Sequence, residues 1–137
     1  MKIKLDPGAY PLERAHPTDA GLDIRSHEDY FIPAYEGCVA IRTGVHIQLP
    51  PGTCGLLVSK SGLNVNYDIT STGLIDEGYT GEIVVKLYNH GKFHRMIKKG
   101  QKISQLVILP CLYEDAEIVD EIDGGPRGEN GFGSTGV

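Results

Sequence analysis

Alternation of apolar and polar side chains is the clearest pattern in the chain, and it is strongest between residues 39 and 49. There, the apolar residues Val39, Ile41, Val45, Ile47 and Leu49 alternate with residues that are mostly polar or small. Successive side chains of a strand point to opposite faces, so the pattern predicts a strand with one buried face. The stretch PPGT that follows predicts a turn, and CGLLVS behind it predicts a returning strand.

Shorter apolar patterns predict six more strands, at Ile3–Leu5, Leu22–Arg25, Tyr30–Ile32, Glu82–Tyr88, Ile103–Leu109 and Glu117–Ile122. Glycine and proline interrupt the chain so often that few helices fit. One short helix is predicted near Leu63–Tyr67, with Ser61 and Gly62 as its cap. Many short strands separated by turns predict an all-β domain built as a sandwich, jelly roll or small barrel.

Length and composition predict one globular domain, residues 1–123, followed by a segment of different character, residues 124–137. The chain has 137 residues, of which 40% are hydrophobic and 23% charged, values that suit a single packed core. The final segment, DGGPRGENGFGSTGV from residue 123 onward, is rich in glycine. Because such a segment buries little apolar surface, we expect it to be flexible until a ligand orders it.

Charge and cysteine usage exclude several classes of protein. The formal net charge is −5 and the basic residues are scattered, which argues against a broad nucleic-acid-binding face. Cys38, Cys54 and Cys111 are odd in number and lack CxxC spacing, so neither a disulfide framework nor a cysteine zinc site is predicted. No signal peptide or apolar run of about 18 residues is present, and a cytoplasmic location is expected.

The stretch GLIDEGYTGE, residues 73–82, places an aspartate and a tyrosine between glycines that let another molecule approach the backbone. One interpretation is a general base, Asp76, beside an aromatic platform, Tyr79. The alternative is a hairpin turn in which Asp76 caps backbone amides and Tyr79 belongs to the core. Spacing alone favours the alternative.

The stretch SKSGL, residues 59–63, offers Lys60, Ser61 and the backbone around Gly62 as a phosphate cradle. The alternative is an ordinary serine N-cap with a solvated lysine. In AGLDIR, Asp23 stands in an apolar strand pattern, where a carboxylate either pairs with a basic neighbour or faces a metal. Pairing is the commoner outcome. Gln105 is a polar amide within another apolar strand, which usually satisfies backbone groups.

The ending RGENGFGSTG combines a phosphate clamp, an aromatic plate and two hydroxyl donors. These are Arg127, Phe132 and the pair Ser134 and Thr135. Composition alone favours a disordered linker.

These stretches, in this order and spacing, resemble the homotrimeric deoxyuridine triphosphatase (dUTPase) family. The matching segments are AGLDIR, SKSGL, GLIDEGYTGE, KKGQKISQL and RGENGFGSTG, which together span residues 20–136. The resemblance implies a jelly-roll-like β protomer and a homotrimer with sites between subunits. It also implies Mg²⁺-dependent hydrolysis of dUTP to dUMP and pyrophosphate, which limits uracil in DNA and supplies dUMP.

The resemblance assigns the base and sugar contacts to the third motif. Asp76 would orient and deprotonate the water that attacks the α-phosphorus. Tyr79 would lie under the deoxyribose, where a 2′-hydroxyl would clash. Uracil would be read by the backbone from Thr70 to Ile75, which includes Gly73 and Leu74.

The resemblance assigns the phosphate contacts to the other motifs. The upstream residues that would hold phosphates are Lys60, Ser61, Gly62 and Gln105. Asp23 would meet the Mg²⁺ ion through water. The tail would supply a binding stretch from Phe132 through Gly133 to Thr135, in which Phe132 caps the uracil. Arg127, Ser134 and Thr135 would hold the γ-phosphate.

Two other functions compete with this interpretation. The family's nearest rival is a dCTP deaminase of the same fold, but Lys86 stands where that enzyme has its catalytic glutamate and Gly62 where it has a serine. The other rival is a non-catalytic regulatory or binding β-module. Against it stands the joint retention of four site residues, Asp76, Tyr79, Arg127 and Phe132. One departure from the dUTPase pattern is Lys60, which replaces the usual arginine and so lacks its planar pair of donors.

Overall fold

The computed structural model describes residues 1–126 and residue 128. Its elements, in chain order, are β1 (Lys2–Leu5), β2 (Leu22–Arg25), β3 (Tyr30–Ile32), β4 (Gly37–Gln48), β5 (Thr53–Ser59), α1 (Ser61–Tyr67), β6 (Ile69–Ile75), β7 (Glu82–Asn89), β8 (Arg95–Ile97) and β9 (Lys102–Pro110). The described chain is therefore all-β apart from α1, as the sequence predicts.

The strands form one long curled sheet and one small one. In the long sheet the strand order is β1-β4-β7-β6-β5-β9-β2, and β3 pairs with β8 separately. Every pairing is antiparallel. Strand β6 joins the two halves, because residues 69–71 pair with β7 whereas residues 72–75 pair with β5. The result is the jelly-roll-like architecture that the sequence predicts.

The core lies between the two halves of the curled sheet. Its fully buried side chains come mostly from β4, β7 and β9 and include Ile41, Val45, Val85, Ile103 and Leu106. The predicted alternation in β4 is confirmed up to a bulge between Arg42 and His46. Gly44 occupies this bulge with φ of +67°, a conformation that favours glycine over residues with a side chain.

Three details of the sequence prediction are wrong. Residues 117–122 form no strand, because in the described chain they have no neighbouring strand to pair with and their side chains are exposed. Strand β5 does not return along β4 but pairs with β6 and β9. Helix α1 begins at Ser61 rather than being capped by it, and Lys60 is the N-cap with no side-chain hydrogen bond to the helix. In addition, strands β6 and β8 were not predicted.

None of the helices in the described residues has the length and apolar character needed to cross a membrane.

Candidate active site

A cleft opens where β6 leaves β7. The ladder between these strands ends at the pair Ser71 and Leu87, although β6 continues to Ile75 and β7 begins at Glu82. The space between the separated strands has a volume of about 240 Å³ and is lined by Leu57, Gly73, Leu74, Ile75, Asp76, Tyr79, Glu82, Ile83 and Val84. Because an antiparallel ladder would otherwise occupy the facing backbone groups, the cleft offers main-chain donors and acceptors to a planar ligand.

Asp76 and Tyr79 stand at the rim of this cleft in a tight turn. The Tyr79 N–H donates to the Asp76 carbonyl at 3.0 Å, which closes the turn directly after β6. Both side chains are exposed, so the alternative with Tyr79 in the core and Asp76 as a cap is wrong. Within the described residues, the Asp76 carboxylate makes no hydrogen bond or ion pair. It is free to act on a ligand or a water molecule.

The Tyr79 ring is held in a fixed orientation. Its hydroxyl donates to the Glu82 carbonyl at 2.9 Å, and its ring lies so close over Gly81 that a Cβ atom there would overlap it. Tyr79 is 47% exposed and lines the cleft. An aromatic plate fixed in this way suits stacking against a flat or ring-shaped ligand.

Glu82 is a residue of this site that the sequence analysis did not identify. Its carboxylate accepts hydrogen bonds from the Gly44 N–H and from Arg42 Nε, each at 2.9 Å. Burial alone would raise the pKa of Glu82, but the bonds from Gly44 and Arg42 outweigh it and lower the pKa. Glu82 thus connects the β4 bulge to Tyr79: its carboxylate binds Gly44 in the bulge, and its carbonyl accepts the hydrogen bond from the tyrosine hydroxyl. In the sequence, the available signal was a charged residue at the start of the predicted strand Glu82–Tyr88.

A second cluster surrounds Asp23, which is only 1% exposed. Lys60 Nζ lies 2.7 Å from Asp23 Oδ1, and Lys102 Nζ lies 2.6 Å from Oδ2. Burial opposes ionisation of Asp23, but the two lysines outweigh it and lower the pKa of the carboxyl below its ordinary value. The interpretation of Asp23 as a paired carboxylate is confirmed, whereas Lys60 is not the solvated lysine of the alternative. Lys102 is a member that the sequence analysis did not assign.

The predicted phosphate-binding residues gather at this cluster. Gln105 lies on β9 directly between Asp23 on β2 and Val58 on β5. Ser61 and Gly62 follow Lys60 at the start of α1 and are exposed, and a Cβ atom at Gly62 would meet nothing within 4 Å. Two ammonium groups around one carboxylate leave a net positive charge, which suits an anion at this open surface.

A single chain does not bring the two parts of the predicted site together. Ile75, next to Asp76, pairs with Gly55, and Lys60 lies five positions further along the chain. At about 3.3 Å per residue, that places Lys60 about 16 Å from the Asp76 end of the strand. Thr70 also lies away from the rim, in the part of β6 that is paired with β7, where its Oγ1 is 2.9 Å from His90 Nε2.

The predicted tail contacts, Arg127, Phe132, Gly133, Ser134 and Thr135, lie outside the described residues.

No cluster of three or more His, Cys, Asp or Glu side chains suited to a metal occurs between residues 1 and 126. Asp23 Oδ2 is buried, and Lys102 Nζ lies 2.6 Å from it in an ion pair. A carboxylate oxygen can accept more than one hydrogen bond, so the ion pair with Lys102 is compatible with indirect contact to a hard cation.

A backbone-lined cleft with a carboxylate and an aromatic ring, together with a cluster of two lysines around a buried carboxylate, is an arrangement that suits nucleotide binding by an all-β protein. A family model described as dUTPase matches residues 9–136. The deoxyuridine 5′-triphosphate nucleotidohydrolase of Clostridium acetobutylicum is 45% identical over 141 aligned residues, covering 100% of this chain and 97% of that protein. The chain belongs to the dUTPase family.

Solved structures agree with this assignment. A mutant dUTPase of Staphylococcus bacteriophage 80alpha with dUpNHpp has a TM-score of 0.92 and 32% sequence identity, with 99% of this chain and 98% of that chain covered. A mutant dUTPase from phage phi11 of S. aureus, described with a coordinated structural Mg(II) ion, has a TM-score of 0.81 and 28% identity, with coverage of 88% and 96%. The fold and the family assignment therefore rest on agreement in both sequence and structure.

Proposed function

We propose that the protein hydrolyses dUTP to dUMP and pyrophosphate, in the cytoplasm. The observation that carries this proposal is the cleft between β6 and β7, whose rim holds the fixed Tyr79 and Asp76, which has no side-chain partner among the described residues. Membership of the dUTPase family supports a uracil nucleotide as the substrate, and the positions of Asp76 and Tyr79 at the cleft support their proposed roles as base and sugar platform. The product dUMP and the removal of dUTP would limit uracil in DNA.

Asp76 acts as the general base in this proposal. Its carboxylate accepts a proton from a water molecule, and the water oxygen bonds to the α-phosphorus as the bond to the bridging oxygen of pyrophosphate breaks. Because Asp76 is exposed and has no partner among the described residues, its oxygens are available for that water. Positioning the water and the phosphorus together accounts for much of the rate.

The cleft between β6 and β7 is proposed to recognise the base and the sugar. Uracil is planar and carries both donors and acceptors, which suits the separated backbones of β6 and β7. The residues that line the cleft on the β6 side are Gly73, Leu74 and Ile75, and Thr70 lies at the closed end. The Tyr79 ring, fixed by the Glu82 carbonyl and Gly81, lies under the deoxyribose and excludes a 2′-hydroxyl.

Phosphate binding falls to the second cluster, supplied by another copy of the chain. Asp76 and Lys60 of one chain stand at opposite ends of β5 and β6, so one nucleotide reaches both only if two copies contribute. We assign the assembly as a homotrimer, as the resemblance implies. Exposed apolar side chains at Leu74 and Leu112, 65% and 88% exposed, supply surface for such contacts.

The phosphate groups would be held by Lys60, Ser61, the backbone of Gly62, and Gln105. An Mg²⁺ ion, when bound, neutralises charge on the triphosphate and on the departing pyrophosphate. Asp23, which is paired with Lys60 and Lys102, is the residue that would contact it, through water. The tail residues Arg127, Phe132, Gly133, Ser134 and Thr135 are proposed to complete the site, so removal of residues 126–137 should strongly reduce turnover.

The test is pyrophosphate release from dUTP, dTTP, dCTP and UTP in the presence of Mg²⁺. The proposal requires a clear preference for dUTP. A comparable rate with all four substrates would contradict it, and consumption of dCTP with release of a uracil nucleotide would indicate the deaminase instead. Lys86, at the deaminase's glutamate position, lies with its Nζ 5.1 Å from the centre of the Tyr88 ring and does not line the cleft.

A further inference from the structure

A larger cavity lies on the other side of the turn that carries Asp76. Its volume is about 730 Å³, and its lining includes Leu74, Asp76, Glu77, Cys111 and Tyr113. Two elements meet the turn here: the connection between β4 and β5, and the segment that follows β9. The cavity therefore adjoins the proposed catalytic carboxylate without being part of the β6–β7 cleft.

Glu77 joins these elements through one carboxylate oxygen. Its Oε2 accepts a hydrogen bond from the Gly52 N–H at 2.8 Å and another from the Tyr113 hydroxyl at 2.5 Å. Gly52 precedes β5, and Tyr113 lies just after β9. The residue next to Asp76 is thus fixed to both sides of the surrounding structure.

The protonation states of these groups favour the contact at neutral pH. The Tyr113 and Gly52 hydrogen bonds lower the pKa of Glu77. The same carboxylate raises the pKa of Tyr113 to about 12. Glu77 therefore remains an ionised acceptor and Tyr113 a protonated donor, and a hydrogen bond to an ionised acceptor is stronger than a neutral one.

Asp76 depends on its backbone for its position. Its own side chain has no partner among the described residues, so its place is set by the end of β6, by the Tyr79 N–H bond that closes the turn, and by the anchored neighbour Glu77. A displacement of about 1 Å at a reacting group reduces rates by about 100-fold. The hydrogen bonds from Gly52 and Tyr113 to Glu77, which we call the anchor, thus lie where a small movement of the turn affects the chemistry.

We infer that Glu77 is a positioning residue for hydrolysis, which holds the Asp76 turn against the Gly52 connection and the start of the C-terminal segment at Tyr113. This inference rests on the proposed function for its kinetic test. Glu77 acts through the turn and contacts neither the cleft nor the phosphate cluster. Loss of the anchor should therefore affect turnover more than substrate binding.

The experiment compares Glu77→Ala, Glu77→Gln and Tyr113→Phe with the wild type in dUTP hydrolysis. Glu77→Ala is expected to lower kcat about 10-fold or more, with KM within about twofold. Glu77→Gln keeps a neutral acceptor oxygen and should retain more activity than Glu77→Ala. Tyr113→Phe should lower kcat by about threefold. It should add nothing when combined with Glu77→Ala, because Tyr113 acts through Glu77.

Glu114→Ala is the matched control, because Glu114 is an exposed carboxylate beside Tyr113, and it should keep the wild-type kcat. Unchanged kcat in Glu77→Ala, or equal losses in the alanine and glutamine variants, would overturn the inference. If Glu77→Ala does not fold, Glu77→Gln and Tyr113→Phe decide the inference: a lower kcat than that of the wild type supports it, and an unchanged kcat in both variants overturns it.

A second measurement does not depend on the substrate. Hydrogen exchange of the Tyr79 amide, which closes the turn on Asp76, should be faster in Glu77→Gln and Tyr113→Phe than in the wild type. Unchanged exchange would overturn the inference even if the protein hydrolyses dUTP. Faster exchange in a protein inactive on dUTP would support the anchor and contradict the proposed function instead.

Discussion

Lys60 Nζ lies 2.7 Å from the Oδ1 atom of Asp23, a carboxylate that is only 1% exposed. Lys102 approaches the second oxygen of the same group, so Asp23→Asn would leave two ammonium groups facing a neutral amide. Breaking a buried ion pair typically costs about 3–5 kcal/mol, and partial exposure of the lysines reduces this to about 2 kcal/mol here. We expect that decrease in the free energy of unfolding, measured by urea denaturation.

The control for this variant is Asp115→Asn, which removes the same charge from an exposed position. Because the folded pKa of Asp23 lies below its ordinary value of 3.8, its stabilisation is present above pH 3.8 and is lost as the pH falls through the folded pKa. The difference between the wild type and Asp23→Asn should therefore shrink in acid. Equal stability of the two proteins at neutral pH would contradict the assignment.

Gly81→Ala should impair catalysis by displacing Tyr79. A methyl group at position 81 would overlap the tyrosine ring, so the ring must move away from the place where the sugar is expected to bind. We expect kcat/KM for dUTP to fall about 10-fold. Wild-type kinetics in Gly81→Ala would show that the ring position is not required.

Tyr79→Ala should weaken discrimination between deoxyribose and ribose. Without the ring, a 2′-hydroxyl meets no steric barrier, and the ratio of kcat/KM for dUTP over UTP should fall about 10-fold or more. Tyr79→Phe loses the hydrogen bond to the Glu82 carbonyl but keeps the ring, so it should keep most of the discrimination. An unchanged ratio in the alanine variant would remove Tyr79 from sugar selection.

Two inactive variants should complement each other if the site is shared between copies. Asp76→Asn removes the proposed base, and Lys60→Gln removes a phosphate contact while keeping a donor for Asp23. After equal amounts are unfolded and reassembled together, about one quarter of the sites should combine intact groups from two copies. Activity of the mixture equal to the average of the separate variants would mean that each chain forms its own site.

The sequence predicted local structure well where one face of a strand is buried. The alternation from Val39 to Leu49 corresponds to most of β4 and to Leu49, the residue directly after it. Apolar residues recur at every second position because successive side chains point to opposite faces of the strand and only one face is buried. Residues 117–122 have a similar composition but no neighbouring strand in the described chain. An apolar pattern specifies a strand only when a partner strand is available, and sequence does not give the partner.

The motifs predicted which residues carry the chemistry but not how they are grouped. Asp76 and Tyr79 do share a rim, because they lie within one tight turn. The cleft itself depends on β6 changing its partner from β7 to β5, which is a property of long-range pairing. Lys102 and Glu77 were missed for the same reason, since their partners Asp23 and Tyr113 are distant in the sequence.

Pyrophosphate release from dUTP by the wild type and by Asp76→Asn, assayed side by side with Mg²⁺, tests the central claim most directly. The amide has nearly the same shape as the carboxylate but cannot accept the proton from water, so folding and assembly should be unchanged. We predict that kcat falls about 10³-fold, within the range that general-base catalysis supplies. Equal rates for the two proteins would contradict the account.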